Sequence, residues 1–148
     1  MRKAYFEICE IYNRMRQAVI ETARKNTDAV FAGYTHMQPS EPITFAHYCS
    51  AVLNAMQRDF RRISLAFEGL NVCPLGAGSM GSTTWNIDRN YTAKLLGFEG
   101  LVENSMDCVC SRDYLLEIMA DISILASTLV RMTTDMRICL LYTSPSPR

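Results

Sequence analysis

The feature that most constrains this 148-residue sequence is a stripe of apolar residues toward its C-terminal end. The stripe recurs at intervals of three and four residues without a slip, at Leu115, Ile118, Ile122, Leu125, Leu129, Met132 and Met136. This spacing places the residues on one face of an α-helix, and its regularity is typical of the seam of a helical bundle. The pattern predicts a helix from near Ser111 to Arg137, about 40 Å long.

Two earlier stripes have the same period and predict two further long helices. One helix is expected from Lys3 to Lys25 and the other from Phe45 to Phe67, with Gly69 as its C-terminal stop. A shorter helix is predicted between the second and third stripes, with Asn86 as its N-cap and Gly97 just past its end. Because no segment alternates with period two, no sheet is expected. The predicted fold class is all-α, a bundle of long helices.

The composition limits the classes of function. Fifteen basic residues balance fifteen acidic ones, so there is no net charge that would attract nucleic acid or a membrane surface. No apolar run approaches the roughly 20 residues that span a bilayer, and no signal-peptide pattern is present, so we expect a cytoplasmic protein. The six cysteines follow no disulfide or zinc spacing. The two histidines, His36 and His47, lack acidic or thiolate company, and no metal site is predicted.

The last ten residues, CLLYTSPSPR, depart from the helical pattern. This string resembles a translated sequencing adapter, and a natural disordered terminus is the alternative. We therefore expect a partial helical domain over residues 1–138 and a non-native or disordered tail over residues 139–148. Met1 is expected to be either an initiator methionine or an internal methionine of a longer protein, because the first predicted helix begins without a capping residue.

The segment GYTHMQP, Gly33 to Pro39, lies between the first two predicted helices and places a Thr-His pair in a loop bounded by glycine and proline. Thr35 offers a hydroxyl for hydrogen bonding, and His36 offers a group that titrates near neutral pH. From the residues alone, a catalytic histidine and a hydrogen-bonded structural one both stay open.

Four segments, taken together, resemble the argininosuccinate lyase family of the fumarase/aspartase superfamily. They occur in that family's order, cover roughly Phe31 to Glu117, and read GYTHMQPSEPITFAHY, NVCPLGAGSMGST, NIDRNYTAKLLGF and NSMDCVCSRDYLLE. The resemblance implies a homotetramer built on a central helical bundle, with each active site assembled from three subunits. The implied reaction is reversible elimination of fumarate from a small-molecule substrate, argininosuccinate, which leaves arginine. No cofactor or metal is implied.

The resemblance also assigns roles to individual residues. Thr35 matches the family's contact to a substrate carboxylate, and His36 matches its acid/base histidine. Gln38 belongs to the same motif and is expected either to bind the substrate or to support the residues that do. A later segment is expected to shape the site or a subunit contact, with helix capping and interhelix pairing as the equal alternative; its residues are Asn104, Ser105, Asp107 and Arg112. The family's S-R-N-D-like segment, its G-S-S-x-M-P-x-K-x-N-P loop and the glutamate partner of the histidine have no counterpart in this sequence. We therefore predict no lyase activity from this chain alone.

Several alternatives stay open at this point. Sister lyases such as adenylosuccinate lyase, aspartase and fumarase usually read G-R-T-H where this sequence has GYTH. A catalytically silent, crystallin-like structural protein and a stand-alone helical interaction module are the others. The pattern G-x-G-x-x-G from Gly76 to Gly81 spells a dinucleotide fingerprint, but without a βαβ context it predicts a sharp turn. The charge run Arg58–Arg62 is expected to lie on a solvated helix face.

Overall fold

The computed structural model of the protein describes the backbone of residues 1–143 and the side chains of residues 1–139. In chain order the elements are α1 (Arg2–Lys25), β1 (Val30–Thr35), β2 (Gln38–Thr44), α2 (Phe45–Leu70), β3 (Val72–Cys73), α3 (Arg89–Leu95), β4 (Gly100–Leu101), α4 (Ser105–Cys110) and α5 (Asp113–Thr143). Helices dominate, so the predicted all-α class is confirmed.

The three long helices lie where the stripes predict them. Every residue of the C-terminal stripe is buried or half-buried on α5, and Tyr5, Tyr12 and Val19 are the buried residues of α1. The predicted stop of α2 at Gly69 is wrong, because this helix continues to the buried Leu70. Gly69 instead serves close packing, since a Cβ there would lie 3.2 Å from Cβ of Tyr114.

The short helix α3 begins two residues later than predicted. Asp88, not Asn86, is its N-cap: the backbone there is extended, and the Asp88 side chain accepts a hydrogen bond from Tyr91 N at 3.0 Å. An acceptor at this position satisfies one of the free N–H groups of the first turn. Gly97 follows the last residues with φ +67°, as expected for a residue just past a helix end.

The expectation of no sheet is wrong. Strands β1 and β2 form an antiparallel hairpin, and β3 and β4 form a short parallel pair. The hairpin escapes prediction because β2 reads QPSEPIT, which contains two prolines and no alternation. Proline cannot donate to a ladder, yet it is tolerated in an edge strand, and each strand of a two-stranded sheet is an edge.

The chain divides into two compact units, each described here by itself. The hairpin unit comprises Lys3–Arg61 and the described residues from Ile122 onward, and the loop unit comprises Met1–Arg2 and Arg62–Asp121. Buried residues of the hairpin unit include Tyr12, Cys49 and Met56, and those of the loop unit include Ile63 and Cys73. The long helices α2 and α5 contribute residues to both units.

Within the hairpin unit, α1 packs on α2 around one tyrosine. The Tyr12 ring stacks on Phe60 with centroids 5.8 Å apart, and Tyr12 Oη donates to Met56 O at 2.5 Å. Burial, followed by the nearby Asp59, raises the pKa of Tyr12 to about 12. Asp59 is itself only 3% exposed and accepts from Thr128 Oγ1 at 2.8 Å, so the expected solvated charge run is wrong at this residue.

Helix α5 continues to Thr143, past the predicted end at Arg137. The first proline that follows is Pro145, so nothing in the intervening sequence forces an earlier break. The predicted boundary at residue 138 thus lies inside a helix, residues 144–148 lie outside the described part, and the non-native origin of the tail stays a prediction. Among residues 1–143, no helix is both long and apolar enough to cross a membrane.

Candidate functional site

The GYTH segment forms the end of the β1–β2 hairpin. Thr35 pairs with Gln38 across the two strands, which leaves His36 and Met37 as a two-residue turn. Both turn residues have positive φ, 50° for His36 and 63° for Met37, as a type I′ turn requires. Histidine tolerates this region better than most residues, whereas an unbranched side chain such as methionine rarely adopts it. The backbone is therefore strained at the turn that contains His36, the residue predicted to transfer a proton.

A bulge lies in the hairpin just before its tip. The register shifts between Ala32, which faces Pro42, and Tyr34, which faces Pro39. Gly33 occupies the shift, where a Cβ would lie 3.1 Å from Glu41 O. Bulges bend and twist a strand, and here the bend determines the direction of the hairpin tip.

The base of the hairpin is fixed to the start of α2. Phe45 N donates to Ala29 O at 2.8 Å, so the two ends of the hairpin are joined by a backbone hydrogen bond. Thr44 caps the helix, because its Oγ1 accepts from His47 N at 3.1 Å. His47, the second histidine of the sequence, is exposed on the first turn of α2.

The tip borders an open cleft of about 660 Å³ within the hairpin unit. The cleft is lined by His36 and Met37, by aromatic residues of the hairpin and of α2, and by residues from the C-terminal part of α5. A cleft of this size, mostly apolar with a few polar groups, matches the usual form of a small-molecule site. Among the described residues of the hairpin motif, His36 lines the cleft, whereas Thr35 and Gln38 flank it on exposed strand ends.

Two polar residues of this cleft are absent from the sequence-based predictions. Tyr48 Oη donates to Asp135 Oδ2 at 2.9 Å, across a separation of 87 residues. Burial, together with this hydrogen bond, raises the pKa of Tyr48 above its ordinary value, so the hydroxyl stays protonated. No local pattern in the sequence connects Tyr48 to Asp135, because the two residues lie far apart in the chain.

The second predicted segment lies in the loop unit, where its contacts are structural. Asn104 caps α4, since its Oδ1 accepts from Met106 N at 2.9 Å and from Asp107 N at 3.1 Å. Ser105 Oγ donates to Met80 O at 2.6 Å, which ties α4 to the glycine-rich loop. Asp107 accepts from the Ser111 hydroxyl.

Asp107 and Arg112 also line a groove of about 640 Å³ in the loop unit. Arg112 donates to the carbonyl of Ser111, at the junction between α4 and α5. Across the groove, Arg2 donates to Gly97 O at 2.6 Å, and its guanidinium lies 3.7 Å from the Phe98 ring centroid. The helix-capping alternative therefore holds for Asn104, and the site-shaping role of all four residues stays a prediction.

The glycine pattern in the loop unit forms turns. Gly76 and Gly78 have φ of +85° and +65°, and Ser82 N donates to Ala77 O at 2.9 Å. The next helix, α3, begins only at Arg89, so no helix N-terminus follows the glycines directly, as a phosphate-binding loop would need. Across the described residues, no three His, Cys, Asp or Glu side chains group as metal ligands.

Comparison with known proteins identifies the class. A family model described as lyase matches residues 1–146. The chain therefore belongs to this lyase family, within the fumarase/aspartase superfamily.

Its relatives narrow the class further. It is 43% identical over 136 residues to argininosuccinate lyase 1 of Shouchella clausii, and 38% identical over 136 residues to the argininosuccinate lyase of Methanococcus aeolicus. Each match covers 92% of this chain but only 27% and 28% of the relative, so the chain spans little more than a quarter of these enzymes.

Solved structures agree with the family. A crystal structure of EDDS lyase in complex with formate superposes with a TM-score of 0.91 at 31% identity, covering 97% of this chain and 28% of that one. A fumarate lyase from Mesorhizobium sp. BNC1 superposes with a TM-score of 0.83 over 96% of this chain and 34% of that one; at 23% identity it supports the fold alone.

Proposed function

We propose that this chain is part of an argininosuccinate lyase, which cleaves argininosuccinate reversibly into arginine and fumarate. The observation that carries the proposal is the placement of His36. Its imidazole, a group that can act as a general acid or base, lies at the tip of a strained two-residue turn beside the cleft, in a chain 43% identical to an argininosuccinate lyase.

The proposed chemistry is an elimination. A general base takes a proton from the carbon next to a substrate carboxylate, the C–H electron pair forms the new C=C bond, and the C–N bond breaks with its electrons going to nitrogen, which takes up a proton from a general acid. His36 transfers a proton during this step, and the Thr35 hydroxyl hydrogen-bonds the carboxylate that gathers negative charge. Gln38, paired with Thr35 across the hairpin, contacts the same end of the substrate.

The quaternary structure and location form part of the same proposal. Large apolar side chains are exposed on α1 and α5, among them Phe6, Ile11, Leu116 and Val130. Exposed apolar surface of this kind is typical of a protein–protein interface. It supports the homotetramer expected from the family, and a cytoplasmic location is proposed with it.

A chimera tests the proposal. The matched 136 residues of the Shouchella clausii enzyme are replaced by the corresponding residues of this chain, and fumarate release is followed by ultraviolet absorbance. We expect turnover of argininosuccinate by the chimera and none by the 148-residue chain alone. Adenylosuccinate and aspartate are tested in parallel. Preference for either would favour a sister lyase, and a well-folded chimera inactive on all three would favour the silent structural protein.

The two histidines provide a matched pair of variants. His36→Gln in the chimera is expected to lower kcat by about 10²–10⁴-fold, the usual contribution of a general acid or base. His47→Gln removes the only other imidazole of the sequence, which is exposed on α2, and should leave kcat within about twofold. Equal losses in the two variants would contradict the role proposed for His36.

A further inference from the structure

The base of the hairpin whose tip carries His36 is linked to α5 by a continuous series of side-chain contacts. Phe31 of β1 meets Phe45 edge to face, with ring centroids 6.1 Å apart at 65°. Phe45 stacks on Tyr48 at 5.9 Å and 13°, and the Tyr48 hydroxyl donates to Asp135 at 2.9 Å. All four residues belong to the hairpin unit and line the same cleft.

Each link in this series has a defined geometry. Aromatic pairs prefer edge-to-face or offset stacking at these separations, and each pair contributes about 0.5–1.5 kcal/mol beyond the area it buries. The hydrogen bond to Asp135 is charge-assisted, since an ionised carboxylate accepts it, and such bonds are stronger than neutral ones. The hydroxyl orients the Tyr48 ring, and the ring orients Phe45 at the base of the hairpin.

Small changes at the base are amplified at the tip. From Phe31 to His36 the strand covers five residues, or about 17 Å at about 3.3 Å per residue. A tilt of about 5° at the base therefore moves the tip by about 1.5 Å. Misplacing a catalytic group by about 1 Å can cost about 100-fold in rate.

We propose that Tyr48 and Asp135 are positioning residues, whose hydrogen bond fixes the hairpin so that His36 is held at its working position in the cleft. The inference rests on the proposed function in taking His36 as the group that transfers a proton. Neither residue is proposed to touch the reacting atoms.

The structural half of the test needs no turnover. Methionine methyl groups are labelled with ¹³C in the 148-residue chain, and their NMR signals are recorded for Tyr48→Phe, Asp135→Ala and the double variant. Met37 lies at the tip of the hairpin and Met80 in the loop unit, so one signal reports on each unit. Signals are assigned with Met37→Leu and Met80→Leu.

We expect the Met37 signal to shift or broaden equally in both single variants and in the double variant, while the Met80 signal stays in place. Equal effects are expected because either change removes the same bond. The matched control is Tyr91→Phe, which removes a hydroxyl from a 62% exposed tyrosine of the loop unit and should leave Met37 unmoved. An unmoved Met37 signal in Tyr48→Phe would overturn the proposal. Loss of all nine methionine signals would overturn it too, because the bond would then stabilise the fold as a whole.

The kinetic half uses the chimera. Tyr48→Phe and Asp135→Ala are expected to lower kcat by about tenfold or more, with KM changed less than about threefold, and the double variant should be no slower than the slower single one. An unchanged kcat despite a shifted Met37 would refute the positioning role. If the chimera itself has no activity while Met37 still shifts, the lyase proposal fails and the link between the bond and the tip stands.

Discussion

At the strained turn formed by His36 and Met37, we expect a glycine variant to be more stable than an alanine variant, the reverse of the usual order. Met37 has φ 63°, a conformation that costs an L-residue about 1–2 kcal/mol and costs glycine nothing. Part of this advantage, about 0.5–1 kcal/mol, is lost because glycine has more conformational freedom than alanine in the unfolded chain. We therefore expect Met37→Gly to be more stable than Met37→Ala by about 0.5–1 kcal/mol, with the difference confined to the hairpin.

Met119 provides the matched control. It is also a methionine, is 56% exposed against 62% for Met37, and lies within α5. There glycine should be less stable than alanine by about 1 kcal/mol, the ordinary order in a helix. Because both substitutions at a site remove the same methionine side chain, each difference isolates the backbone.

Amide hydrogen exchange followed by mass spectrometry measures both effects locally. In the hairpin, residues 30–44, exchange should be about two- to fivefold slower in Met37→Gly than in Met37→Ala, by the conversion of 0.5–1 kcal/mol at about 1.4 kcal/mol per tenfold. In α5 the order at residue 119 should reverse. If the hairpin of Met37→Ala exchanges as slowly as that of Met37→Gly, or more slowly, the backbone of the turn is not left-handed. The orientation of His36 deduced from that turn would then be wrong.

Three further predictions concern caps, turns and pH. Asp88→Ala should destabilise α3 by about 1 kcal/mol in hydrogen exchange, whereas Asn86→Ala should have almost no effect; equal effects would contradict the cap assignment. Gly78→Ala should lower the free energy of unfolding by more than about 1 kcal/mol in urea titrations, since φ is +65° and a Cβ would lie 2.4 Å from a backbone oxygen, whereas Gly81→Ala meets open space and should be close to neutral. The raised pKa of Tyr12 means that the folded state favours the protonated hydroxyl. The contribution of Tyr12 to the free energy of unfolding is therefore fully present below pH 10 and is lost as the pH rises through 12. The stability advantage of the wild type over Tyr12→Phe should thus shrink by about 1.4 kcal/mol per pH unit between pH 10 and 12, and a constant difference across that range would refute the shift.

The helices could be predicted because their signal is local. Apolar residues at intervals of three and four identify a buried face without knowledge of its partner, and α1, α2 and α5 lie where the stripes place them. The boundaries were less accurate, because they depend on contacts. Gly69 lies inside α2, where Tyr114 packs closely against it, and Asp88 rather than Asn86 caps α3 because its side chain reaches Tyr91 N.

The hairpin could not be predicted, since its stability comes from pairing rather than from pattern. Strand β2 contains two prolines, and the turn lacks the Asn-Gly or Asp-Gly pair that usually marks a two-residue hairpin. The candidate catalytic histidine was found through the GYTH motif, but the sequence carried no sign that its backbone is left-handed or that a bulge at Gly33 bends the strand leading to it.

The sequence by itself determined the long helices, the absence of net charge and the motifs that mark the lyase family. Each of these depends only on which residues are present and on their spacing along the chain. Only the tertiary structure decided how His36 is presented and what shares its cleft. Tyr48 and Asp135 are 87 residues apart in the chain, and each taken alone belongs to an ordinary helix face. Their hydrogen bond exists because α2 and the C-terminal part of α5 pack side by side within the hairpin unit, and the period of neither helix encodes which residues that packing brings together.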